Sequence, residues 1–151
     1  MADDYSSAII PPMIEIDNKT SLEVNGTLLQ KIAATMTNKE IELIITTSDE
    51  IQKINKHHRN RDKPTDVLSF PYEDMPMSPL GSIVISQDFV IEKSKEFGHT
   101  QENEFTLLFI HGLLHLLGYD HEVDEGQMRK EEERLINAFH LPQSLIVRTQ
   151  G

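Results

Sequence analysis

Residues 105–121 read FTLLFIHGLLHLLGYDH, and the architecture can be inferred by starting from this segment. It is apolar on almost every side up to Gly118, so it predicts a helix that is buried on most of its faces. Thr100 lies upstream as a candidate N-cap, and the glycine at position 118 favours the left-handed conformation in which many helices end. A helix of this composition has to lie at the centre of the fold, with other elements packed around it.

Three histidines in this stretch, His111, His115 and His121, follow the spacing H-x3-H-x5-H. Residues four apart on a helix are separated by about 6 Å along the axis and about 40° around it, so the first two imidazoles project from one face. A turn at Gly118 would bring His121 back as a third ligand. Three neutral imidazoles with an open fourth position are the pattern of a catalytic zinc site, so we predict one Zn²⁺ per chain.

The alternative interpretation is that these are ordinary core histidines. Burying three imidazoles side by side without a shared partner would be costly, so we favour a metal site. The spacing also matches the metzincin ligand pattern H-E-x-x-H-x-x-G-x-x-H, but Gly112 stands where those proteases have their general-base glutamate. Loss of that base typically costs about 10²–10⁴-fold in rate, which disfavours a peptide substrate. We expect the glycine to leave the approach to the metal open for a bulkier group such as a phosphodiester.

The rest of the chain predicts an α+β fold in which a small mixed sheet packs against helices. The element order is β-α-β-α-β-β-α-α-α, and the strand order cannot be read from it. Pro11 and Pro12 precede the first strand and favour a position at the edge of the sheet. Strands are expected at 13–16, 41–46, 67–70 and 81–86, and the other helices at 27–36, from 48 onward, at 87–97 and at 125–139.

Length and composition exclude several classes of protein. At 151 residues the chain is expected to form a single domain, residues 1–151, and the absence of cysteine excludes disulfides and thiolate metal sites. The N-terminal residues do not resemble a signal peptide, and no apolar run approaches the ~18 residues of a spanning helix. We therefore expect a cytoplasmic protein without a membrane partner. The net charge of −11 excludes a general coating of positive charge for nucleic acid.

A local basic segment stands out against this acidic average. Between positions 53 and 63 the only acidic residue is Asp62, and the basic residues are Lys53, Lys56, Arg59, Arg61 and Lys63. Such a run is usually the solvated face of a helix. A guanidinium nevertheless suits phosphodiester cleavage, because its fork can bind two phosphate oxygens as they gain charge, and Arg59 is the leading candidate.

Three motifs together resemble the bacterial YbeY family of zinc-dependent endoribonucleases and ribosomal RNA maturation factors. They are INKHHRNRDKPTDVLSFP at 54–71, LGSIVIS at 80–86 and HGLLHLLGYDH at 111–121. The resemblance covers roughly residues 10–140. It implies a zincin-like fold with the metal ligands on the buried central helix, single-strand-specific cleavage of RNA, maturation of the 3′ end of 16S ribosomal RNA, and a part in ribosome quality control.

Residue by residue, the resemblance assigns the zinc ligands His111, His115 and His121 and the arginine on which activity depends, Arg59, and Arg61 stands where a basic residue is usual. We therefore expect Arg59 and His115 to be catalytic residues. With the basic segment taken into account, the expected RNA contacts are Arg59, Arg61 and Lys63. Two positions depart from the family pattern: His58 replaces an aromatic residue before the arginine, and Ser82 replaces the aspartate of L-G-D-I.

The partners that the resemblance implies are single-stranded RNA, namely the 16S precursor, and the small ribosomal subunit with its proteins or an assembly GTPase. Two other functions remain open: a metallohydrolase of another phosphoester or a peptide, and a ribosome-assembly binding factor with a structural zinc site. The acidic net charge of the chain favours the binding factor. An open coordination position on the zinc disfavours it, because structural zinc sites are normally closed by protein ligands. The sequence also leaves open whether water or the RNA 2′-OH attacks, and whether Asp120 or Glu122 serves as base or orients a ligand.

Overall fold

The computed structural model describes residues 13–146. Within them, the strands are β1 (Ile14–Asn18), β2 (Ile41–Thr46), β3 (Val67–Pro71) and β4 (Gly81–Ser86). The helices are α1 (Gly26–Ala34), α2 (Ser48–Arg59), α3 (Gln87–Phe97), α4 (Gln101–Leu116) and α5 (Gln127–Ala138). The predicted α+β class and element order are confirmed. None of the helices in this part of the chain is both long and apolar enough to cross a membrane.

The four strands form one mixed sheet in the order β1-β2-β4-β3. β1, β2 and β4 run parallel to one another, and β3 pairs antiparallel with β4 across the connection at 72–80. Among the described strands β1 lies at one edge, as predicted, although Pro11 and Pro12 lie outside the described residues. β3 forms the other edge, beside the C-terminal half of α4.

Helices cover both faces of the sheet. On one face, Ile83 and Ile85 of β4 belong to a large apolar core with side chains of α1, α3, α4 and α5. On the other face, Val84 packs with Leu68 of β3 and Ile51 of α2. Burial on both sides explains why β4 is an almost uninterrupted apolar run instead of an alternation of apolar and polar residues.

The central helix α4 begins and ends where its sequence predicts. The Thr100 hydroxyl accepts a hydrogen bond from the backbone N–H of Asn103, which is the geometry of an N-cap. Gly118 follows the helix with a φ of 99°, a conformation that glycine adopts without a steric penalty. From Glu104 to Leu116 every residue except His111 and His115 is buried, so the predicted buried central helix is confirmed.

Helix α4 packs directly against the sheet at Gly112. A Cβ atom at this position would lie 2.8 Å from Ile83 Cγ2 and 3.2 Å from Ser69 Oγ. The Ser69 hydroxyl also donates a hydrogen bond to the Gly112 carbonyl at 3.1 Å. The expectation that this glycine opens the approach to the metal is therefore wrong, because β3 and β4 fill the space beside it.

Replacing Gly112 by alanine is expected to destabilise the protein. Alanine is favoured over glycine in a helix interior by about 1 kcal/mol, whereas overpacking a filled core costs about 1–3 kcal/mol. We expect Gly112→Ala to lower the free energy of unfolding by about 1 kcal/mol in urea denaturation of the metal-free protein. Gly26→Ala is the matched control, because its Cβ would meet Ile16 Cδ1 at an ordinary 3.5 Å. If the two substitutions changed the free energy of unfolding by the same amount, the packing argument would be contradicted.

Candidate metal centre and cleft

The three predicted histidines come together at the C-terminal end of α4. One ring nitrogen from each of His111, His115 and His121 lies within 4.8 Å of the others, and the cluster could hold a metal ion. The ring centroids are 4.7, 5.4 and 5.7 Å apart. His121 reaches the two helical residues because the chain reverses at Gly118, so the local geometry inferred from the spacing is present.

The donor atoms of this cluster suit a divalent metal. The Nε2 atoms of His111 and His115 face each other at 3.2 Å, and two imidazole nitrogens directed at one point can share a single cation. Burial lowers the pKa of His115, and the neighbouring His111 and His121 rings lower it further. A backbone hydrogen bond at Tyr119 and the Asp120 carboxylate act in the opposite direction. His115 therefore stays neutral to a lower pH than an ordinary histidine and offers a lone pair for coordination.

Helix α5 adds a carboxylate that none of the sequence motifs contains. Glu132 Oε2 lies 3.3 Å from Nδ1 of His111, the ring nitrogen that faces away from the cluster. The glutamate is only 4% exposed. A sequence signal for it exists, because Met128, Glu132 and Leu135 recur at i, i+4 and i+7, the spacing of a buried helix face.

A cleft of about 390 Å³ opens over the histidines. Arg59 and Arg61 both line it, because α2 ends at Arg59 and the chain reverses at Asn60, which has a left-handed φ of 57°. Lys63, the third predicted RNA contact, is not among the lining residues. It is exposed, and its backbone carbonyl accepts a hydrogen bond from the Asn55 side chain at 2.9 Å. The structure thus brings two of the three predicted basic residues to the histidines.

Acidic residues line the same cleft. Asp120 and Glu122, the two candidate bases, both contribute to it, and Asp66 contributes from the turn before β3. Asp120 also has a structural role, since its Oδ1 accepts a hydrogen bond from the Glu122 backbone N–H at 3.0 Å and so shapes the turn that carries His121. The cleft is therefore lined both by basic groups, from the end of α2, and by carboxylates, two of which flank His121 in the sequence.

The two departures from the family pattern lie in different surroundings. The exposed His58 ring packs against Phe70 with a centroid distance of 5.2 Å, so an aromatic contact persists at this position. Ser82 is buried on β4 and hydrogen-bonds to Tyr72, whose hydroxyl donates to Glu42 at 3.0 Å. The serine is not among the residues that line the cleft.

Comparison with known proteins identifies the family. The model of the family described as Endoribonuclease YbeY matches residues 13–140. Relatives named Endoribonuclease YbeY include those of Sulfurimonas denitrificans, 66% identical over 92% of this chain and 100% of that protein, and of Helicobacter pylori, 52% identical over 91% of this chain and 99% of that protein. The solution structure of TM1509 from Thermotoga maritima has a TM-score of 0.56 and 26% identity, covering 91% of this chain and 92% of that one. This chain belongs to the YbeY endoribonuclease family.

Proposed function

We propose that this chain is a zinc-dependent endoribonuclease that cleaves single-stranded RNA during maturation of the 16S ribosomal RNA 3′ end. Its relatives carry the name of an endoribonuclease, which supports the reaction class. The observation that carries the proposal is the cleft in which two guanidinium groups and three imidazoles face the same space. We place the activity in one domain, residues 1–151, and in the cytoplasm.

Two groups of residues have separate roles, one in binding the metal and the other in binding the phosphate. His111, His115 and His121 would hold the zinc ion, which when bound supplies Lewis-acid catalysis of phosphodiester cleavage. Arg59 binds the scissile phosphate and stabilises the negative charge that builds on its oxygens, because a guanidinium can donate two hydrogen bonds in a fixed fork. Arg61, two residues further along the same cleft wall, holds the RNA backbone beside it.

The charge distribution of the cleft favours a single strand over a duplex. A single strand can enter with its phosphates toward Arg59 and Arg61 and away from Asp120 and Glu122. A duplex carries phosphates on both strands, so it cannot present phosphate to the arginines alone, and the carboxylates of Asp120 and Glu122 would repel its second backbone. Lys63 does not line the cleft, so we assign it a smaller contribution to RNA binding, from the exposed part of the basic segment.

The net charge of −11 favours delivery of the enzyme to its RNA by partner proteins. We propose the small ribosomal subunit, its proteins and an assembly GTPase as those partners. The same charge favours the alternative of a binding factor that does not cleave RNA, but an open cleft over the histidines is better suited to catalysis than to a structural metal site. The peptidase alternative is weaker, because the sheet occupies the space into which a glutamate at Gly112 would project.

We expect the zinc-loaded chain to cleave a single-stranded 16S 3′ precursor and to leave the same sequence uncut when it is annealed to its complement. A chelator should stop cleavage, and titration with Zn²⁺, Mn²⁺ or Co²⁺ should show which ion restores it. A 5′-phosphate on the product would indicate attack by water, and a 2′,3′-cyclic phosphate attack by the 2′-OH. The proposal fails if a His115→Ala preparation purified in parallel cuts equally well.

A further inference from the structure

We propose that Glu132 is a positioning residue of the metal centre. It would hold His111 through Nδ1, so that Nε2 of the same ring faces His115 and His121. The inference rests on the proposed metal site, and it adds a residue from α5 that lies outside all three sequence motifs.

The hydrogen bond to Glu132 selects the tautomer of His111 that can bind a metal. An ionised carboxylate only accepts hydrogen bonds, so the proton of the 3.3 Å contact must lie on Nδ1 of His111. In a neutral imidazole this leaves the lone pair on Nε2. Nε2 is the atom that faces His115 Nε2 at 3.2 Å, inside the cluster. Glu132 therefore orients the ring and presents its lone pair at the same time.

The burial of Glu132 is costly unless its carboxylate has a suitable partner. Its side chain is 5% exposed, and it shares the inner face of α5 with the fully buried Met128, Leu135 and Ile136. An acidic residue is rarely found in such a position without a paired charge or hydrogen bonds. A hydrogen bond to an imidazole strengthens when that imidazole takes on part of a cation's charge. A cation bound to His111 would therefore offset the cost of burying the Glu132 carboxylate.

The helix itself provides a matched control. Glu131 precedes Glu132 directly and undergoes the same change of charge when it is replaced by glutamine. It pairs with Arg134 on the surface of α5, with an N···O distance of 2.9 Å, and not with His111. Comparing Glu132→Gln with Glu131→Gln separates the contact with His111 from the overall loss of one negative charge.

We expect Glu132→Gln to weaken Zn²⁺ binding to the full-length chain by about 10–100-fold, the usual effect of losing a group that orients a metal ligand. Affinity is measured by competition with a chromophoric chelator at neutral pH. Glu131→Gln should bind as the wild type does. The visible absorption of the Co²⁺-loaded protein should change for Glu132→Gln alone, which an effect on stability without an effect on the ligands would not produce.

Thermal unfolding of the metal-free variants shows whether each is folded. A folded Glu132→Gln with wild-type affinity for Zn²⁺ would overturn the role of Glu132 and leave the metal site intact. A wild-type chain that binds no divalent metal would overturn the proposed metal site and this inference together. A measurement on the wild type alone also tests the inference. In the ¹H–¹⁵N spectrum of the Zn²⁺-loaded protein, we expect the His111 ring to carry its proton on Nδ1. A proton on Nε2 would refute the inference.

Discussion

His115→Ala is expected to lose both its metal and its activity while the protein stays folded. The His115 ring faces His111 across 3.2 Å, and without it only two imidazoles are left to hold an ion. Lewis-acid catalysis contributes several kcal/mol, so we expect cleavage of single-stranded RNA to fall by about 10³-fold or more. The ring is half-buried beside the cleft and outside the apolar core, and alanine is a good helix former, so α4 should persist.

The measurements for this variant are the zinc content after dialysis, the circular dichroism spectrum and the rate of RNA cleavage. His140→Asn is a suitable control, because His140 is exposed and has a φ of 55°, which asparagine tolerates. The control should keep zinc and activity at wild-type levels. Stoichiometric zinc in His115→Ala would show that the three histidines are not the metal site.

The three-histidine cluster could be predicted because its geometry is local. The spacing of His111 and His115 fixes their common face once the segment is a helix, and the glycine at position 118 supplies the turn for His121. The order of the strands could not be predicted, because pairing depends on contacts between distant segments. Strand β3 contributes one wall of the cleft. Its antiparallel pairing with β4 follows from the short connection at 72–80 and from tertiary packing.

Residues whose roles depend on a distant partner were missed or misread for the same reason. Gly112 was expected to open the metal site, but only the structure shows that this side of α4 rests on Ile83. Glu104 was missed for a different reason, since its partner is local: an acid in the first turn of a helix is favourable even when exposed, so the sequence does not show that Glu104 is fully buried with Oε1 2.7 Å from His99 Nε2. Glu132 carried a usable signal, since a charged residue within an apolar helical stripe requires a buried partner.

Arg59→Ala is expected to lower the rate of RNA cleavage by about 10²–10³-fold while zinc binding is unchanged. The expected size is that of removing one preorganised donor that stabilises charge in the transition state. Arg59 lines the cleft at the last residue of α2, but it does not belong to the three-histidine cluster, so its loss leaves the metal ligands in place. Single-turnover cleavage together with zinc content measures the two effects separately.

Two further substitutions test the geometry behind that expectation. Arg59→Lys keeps the charge but not the planar fork, so it should recover only part of the lost rate. Lys63→Ala removes an equal charge from the same basic segment but outside the cleft lining, so it should reduce RNA affinity slightly, more so at low salt, and leave the single-turnover rate nearly unchanged. If Lys63→Ala and Arg59→Ala lose the same fraction of the rate, the basic segment acts as a diffuse attractor for RNA. If only Arg59→Ala loses the rate and Arg59→Lys restores part of it, the guanidinium acts on the phosphate itself, beside a metal centre that does not depend on it.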